Sequence, residues 1–145
     1  MSRSAREIDL DPRTYVGLSF PLRADGNNSF AMTKNSIEQS RHNLRNLLLT
    51  YPGERVGRPE FGCRLREVCF EQQDDQLPSK IEEAISTAIV RFLPYINIIN
   101  IETLSEEIDS NKVFVSIEYS TTLDPSVNQT LTVNATDGND VVGDI

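Results

Sequence analysis

Apolar residues recur at helical spacing in two stretches of the chain and alternate with polar ones in two others. Ile37, Leu44, Leu47 and Leu48 share one side, which predicts a helix over 33–50, capped by Thr33, Asn35 or Ser36 and carrying Arg41 and Arg45 on a neighbouring polar stripe. Pro52-Gly53 ends it. Ile81, Ala84, Ile85, Ala88, Ile89 and Phe92 form a second stripe, predicting a helix over 79–93 between a Ser79/Glu82 capping box and Pro94. Strands are predicted over 97–106 and 112–123, joined by a tight Asp109-Ser110-Asn111 turn. In the second of these, Val113, Val115, Ile117 and Tyr119 face inward while Ser116, Glu118 and Ser120 face outward. A weaker strand is predicted over 128–133.

Upstream, Val16-Gly17-Leu18-Ser19-Phe20-Pro21-Leu22 reads as a short strand, and Pro21, which cannot donate to a ladder, puts it at a sheet edge. Asp25-Gly26-Asn27-Asn28 marks a turn. Between the helices, 51–71 is dense in special residues: Tyr51-Pro52-Gly53-Glu54-Arg55, then Arg58-Pro59-Glu60-Phe61-Gly62, then a helical turn holding Leu65, Val68 and Phe70. So many prolines and glycines fix a loop shape that a plain linker does not need. Residues 1–15 read as a flexible arm, 72–77 as an acidic loop and 134–145 as an acidic tail. The expected fold is α+β: two main helices on a small, mainly antiparallel sheet of three or four strands, forming one domain over 16–133. A sheet of so few strands leaves an open edge unless something covers it.

Charge is unevenly spread. Residues 1–66 carry eleven Lys and Arg against seven Asp and Glu, net +4, and residues 67–145 three against fifteen, net −12, giving −8 in all. One end of such a molecule attracts what the other repels. No apolar run approaches the roughly 20 residues that span a bilayer, and residues 1–10 are charged where a signal peptide carries an apolar stretch. The expectation is a protein that is soluble and not exported by that route. Asn27-Asn28-Ser29, Asn128-Gln129-Thr130 and Asn134-Ala135-Thr136 match a glycosylation pattern but, without secretion, mean only polar loops. Cys63 and Cys69 read as two small, partly buried thiols in a reducing compartment.

Candidate chemistry is thin. His42, the only histidine, reads as a surface or boundary residue, and no nucleophile elbow, phosphate loop or dinucleotide fingerprint occurs. Glu54 and Glu60 are the acids embedded in the 51–62 loop. Arg55 and Arg58 stand beside them, so ion pairing is expected where a general acid would need its pKa raised. The arginines are interleaved with few aromatics in an acidic chain, which argues against nucleic acid; arginine also pairs bidentately with carboxylates of protein partners. Cofactors, metals, catalysis and membranes find no support.

Leu47-Leu48-Leu49-Thr50, Gly53-Glu54-Arg55, Pro59-Glu60-Phe61-Gly62 and Val68-Cys69-Phe70-Glu71, with Gly17-Leu18-Ser19-Phe20-Pro21-Leu22 upstream, resemble the baseplate wedge family of contractile phage tails. That family includes the TssE component of type VI secretion. The resemblance covers about 16–133 and implies a sheath initiator in the tail baseplate of a virion, present in the host cytoplasm before assembly. It implies that the protein is held by the wedge core and accepts strands of the first sheath ring by β-augmentation. The partners implied are baseplate wedge proteins and the tail sheath protein, and beyond them tail tube or hub proteins. Wedge contacts are expected from Glu54, Arg55, Arg58, Pro59 and Phe61. Where the family carries Glu-Pro-Arg, this chain reads Leu93-Pro94-Tyr95, so an apolar wedge contact is expected there. Strand addition is expected at Val113, Val115, Ile117, Tyr119, Leu131 and Val133. Two other roles associated with similar proteins are an anti-adaptor that binds a regulatory protein and a lysozyme-like hydrolase.

Overall fold

A computed structural model describes residues 7, 9–27, 29–70, 75–105 and 112–135. Helix α1 (Ser36–Leu49) begins where Asn35, in extended backbone, accepts the Glu38 N–H on its side chain at 2.7 Å. That contact satisfies one of the donors a helix start leaves open. Asp9 adds a second, accepting from both the backbone N–H and the hydroxyl of Ser36 at 2.8 Å. So part of the stretch expected as an arm is anchored at the helix start, where a carboxylate also suits the dipole.

Helix α2 (Leu65–Phe70) is short, and helix α3 (Leu77–Phe92) follows. It starts two residues before the predicted position, and no side chain caps it. The predicted Ser79/Glu82 box does not form because Pro78 occupies the first turn, where a missing N–H costs nothing, and draws Ser79 into the helix.

Strand β1 (Gly17–Leu18) pairs with β4 (Met32–Thr33), and between them β2 (Ala24–Asp25) pairs with β3 (Ser29–Phe30). The upstream strand therefore belongs to a local ribbon of its own and not to the edge of the main sheet. The expected turn over 24–29 contains the Asp25–Ser29 rung, and Ala24 pairs with Phe30 just beyond it. Thr33, a candidate cap, is a buried strand residue instead, its hydroxyl directed at the Gly17 carbonyl 3.3 Å away. His42 ties the ribbon to α1: its Nδ1 lies 3.1 Å from the Phe20 N–H, whose carbonyl accepts from Arg45 Nη1 at 3.1 Å.

The main sheet is an antiparallel meander in the order β5 (Ile96–Ser105), β6 (Val113–Thr121), β7 (Asp124–Asn134). The predicted Asp109-Ser110-Asn111 turn lies outside the described residues. β7 is far longer than the weak strand predicted, and Ala135 continues the ladder by donating to the Val113 carbonyl at 2.8 Å, inside the stretch read as a tail. One face of the sheet packs on the helices. Leu44, Leu47 and Leu48 of α1, Ile81, Ile85 and Ile89 of α3, and Val113, Val115, Ile117 and Tyr119 of β6 form a continuous buried cluster with Leu131 and Val133 of β7. The other face carries Glu102, Ser116 and Thr132 in register. Ser120, expected outward, is buried near the β6–β7 connection.

Candidate docking interface

The loop between α1 and α2 folds back on its own backbone. Gly53 donates to the Pro59 carbonyl at 2.7 Å, Phe61 to Arg58 at 3.1 Å and Cys63 to Thr50 at 2.9 Å. Gly53 and Gly62 take φ of +100° and +139°, which side chains resist. A Cβ at Gly62 would collide with the Thr50 carbonyl and lie 2.8 Å from Pro52 N, so only glycine lets the strands of the loop meet.

This folding drives Phe61 inward, 8% exposed, edge-to-face on Phe92 with ring centroids 5.2 Å apart. Three guanidiniums cover the pair. Arg55 lies 4.2 Å from the Phe61 centroid, and Arg58 and Arg91 lie 5.5 and 5.1 Å from that of Phe92. The expected Glu54–Arg55 pair is not made: Glu54 accepts the Tyr51 N–H at 3.1 Å, and Arg55 stacks on the ring instead. Arg58 and Glu60 do pair, loosely, at 3.7 Å. Both acids are exposed. Cys63 and Cys69 are free thiols, pushed up to about 11 chiefly by burial.

At 93–95 the structure turns the expected contact round. Leu93 is buried in the core, and Tyr95 packs against it while its hydroxyl accepts from Asn43 at 2.9 Å and its backbone carbonyl from Thr122. Only Pro94 is exposed. Leu93 is buried and Tyr95 half-buried, so these two side chains close the end of the core.

The strand-addition residues need a similar correction. β6 is the central strand, and the backbone groups of Val113, Val115, Ile117 and Tyr119 are directed at β7, so none of them is left for an added strand. Leu131 and Val133 lie on the outer strand β7, but the Ala135–Val113 bond sets the alternation so that their backbone groups point at β6. The outward-facing donors and acceptors of β7 are those of Thr130 and Thr132 between them. By the same alternation Ile101 and Thr103 face outward on β5. Beside β7 runs a groove of about 910 Å³, walled by Val127, Asn128, Thr130 and Thr132 on one side and by Asn35, Ile37, Glu38 and Arg41 of the α1 start on the other.

The profile of one protein family, described as baseplate wedge protein gp25, matches residues 34–126, well over half of the chain. The chain belongs to that family. No curated protein sequence matches it. Among solved structures, a component of the anti-feeding prophage baseplate is similar at 24% identity and TM-score 0.64, over 72% of this chain and 82% of that one. A protein from Geobacter sulfurreducens described as a candidate tail lysozyme has 24% identity and TM-score 0.62, over 69% and 89%. A component of the postcontracted pyocin R2 baseplate has 18% identity and TM-score 0.53, over 69% and 97%. At such identities these likenesses establish the α+β fold. As a gp25-family member the chain is a structural baseplate protein, with other baseplate components as its partners. Among the described residues no helix is long and apolar enough to cross a membrane.

Sequence reasoning missed Arg91 and Phe92 as parts of the surface around the 51–62 loop. Phe92 closes an ordinary apolar stripe and Arg91 is one charge on a solvated face, so only the folded loop reveals that they meet Arg55, Arg58 and Phe61.

Proposed function

We propose that this protein joins the wedge core through the 51–62 loop and initiates the sheath by accepting a strand along β7. The observation that carries the second part is the β7 edge: among the described residues no strand pairs with its outer side, and Thr130 and Thr132 direct ladder groups into a groove whose other wall is a helix. An extended segment laid there gains main-chain hydrogen bonds whatever its side chains. Ile37 and Val127 give its apolar positions somewhere to bury. At about 3.3 Å per residue, five or six residues would cover 127–132. The 51–62 loop supplies the fixed end: Arg55, Arg58 and Pro59 are exposed on a rigid backbone, with Phe61 holding them from below.

Thr130→Pro tests the strand reading. It deletes an outward N–H without removing a β6–β7 bond, a change edge strands tolerate. Co-expressed with wedge, tube and sheath proteins, the variant is expected to enter baseplates as the unchanged chain does while the first sheath ring fails to form. Normal sheath growth on baseplates containing the proline variant would defeat strand addition at β7. Failure of the unchanged chain to co-purify with wedge proteins would defeat the wedge assignment.

A further inference from the structure

A second groove, of about 710 Å³, runs between the 52–64 loop and α3. Its floor is apolar or small, with Pro52, Val68, Ala84 and Phe92, and its charged lining is Glu60, Arg64, Lys80, Glu83 and Arg91. The stacked guanidiniums of Arg55 and Arg58 flank the same Phe61–Phe92 pair at one end. Among the described residues neither Arg55 nor Arg91 meets a carboxylate. A guanidinium held over a ring face still has N–H groups to donate, and the ring contact reduces the freedom it loses when they are engaged. This is an unanswered, pre-oriented set of donors at the mouth of an apolar trough.

We infer that the trough receives an acidic, apolar-faced segment of another baseplate protein, whose carboxylates pair with Arg55 and Arg91 while its apolar side covers Val68, Ala84 and Phe92. The inference rests on the wedge-docking reading and names the chemistry of the partner. Charge complementarity favours protein over nucleic acid: Glu54, Glu60, Glu67 and Glu83 are interleaved with the cations and would repel a continuous phosphate backbone, whereas discrete carboxylates can match discrete arginines.

Lys80 lines the trough and supplies a direct probe, because a carbodiimide joins an amine only to a carboxylate in contact with it. Assembled baseplates treated in this way are expected to yield, by mass spectrometry, Lys80 joined to an Asp or Glu of an acid-rich segment in another baseplate subunit. The double variant Arg55→Glu/Arg91→Glu, whose altered side chains are exposed, is expected to keep a cooperative unfolding transition, lowered by a few degrees through the lost ring contacts, and to enter baseplates at least about tenfold less well. Lys80 joined only to this chain or to a second copy of it, protection of the trough by nucleic acid, or undiminished incorporation of the double variant would overturn the inference while wedge docking stood. If the unchanged chain were absent from baseplates, both would fall together.

Discussion

Three glycines in the 51–62 loop separate backbone strain from steric collision, and replacing each by alanine tests how rigidly the loop is built. Gly57 has an ordinary φ and open space around it, so Gly57→Ala narrows only the unfolded ensemble and is expected to stabilise by about 0.4–1 kcal/mol. Gly53, at φ +100° with nothing within 4 Å of a new Cβ, adds strain alone, and Gly53→Ala should cost about 1–3 kcal/mol. Gly62, at φ +139°, adds to that strain a collision with the Thr50 carbonyl and with Pro52 N at 2.8 Å. Overpacking of that kind costs a further 1–3 kcal/mol or so, putting Gly62→Ala at roughly 2–6 kcal/mol. Equilibrium urea unfolding of the four proteins, read as midpoints at constant slope, measures the series. An equal midpoint for Gly62→Ala and Gly57→Ala would mean that the loop yields freely, and with it the argument that it presents Arg55 and Arg58 in a fixed arrangement.

Burial pushes Tyr119 up to about 12 and both thiols up to about 11. Each group holds its proton more tightly folded than unfolded, so its stabilisation is complete below pH 9–10 and is lost as pH rises toward 11–12. Cys63 alone contributes up to about 2–3 kcal/mol there, and alkaline denaturation should shift upward in Cys63→Ala after correction for its neutral-pH cost. Asn35→Ala removes the α1 cap and is expected to cost about 1 kcal/mol in thermal or urea unfolding, with Asn35→Asp largely retaining stability. His42→Ala should release the Phe20 N–H, costing about 0.5–1.5 kcal/mol, and hydrogen exchange should quicken in the 16–33 ribbon before it does in β6.

The helices and β6 were legible in the sequence because each carries its period in residues of one kind: leucines in α1, isoleucines in α3, and Val113, Val115, Ile117 and Tyr119 alternating in β6. β7 was underweighted because its first half, through Pro125 and Asn128, faces solvent and carries no alternation; pairing with β6 extends it. Alternation also reports that a strand is half-buried without reporting its neighbours, which is why β6 read as an acceptor and proved central. An apolar pair such as Leu93 and Tyr95 reads equally as a contact for a partner or as a cap on the core, and only the packing of α3 against β5 shows that both close the core's end. Family motifs located the 51–62 loop, whereas its stacking on Phe92 depends on α3 packing that no local pattern encodes.

In β7 the odd-numbered residues 131 and 133 both fill the core and bond to β6, and the even-numbered 130 and 132 face away from it. A single inserted residue ahead of Leu131 would swap the two sets, turning core side chains to solvent and replacing every free edge group at once. The strand thus ties folding and assembly to one parity, so length changes that keep this protein both folded and able to engage its neighbours are to be sought in the connections and not in β7.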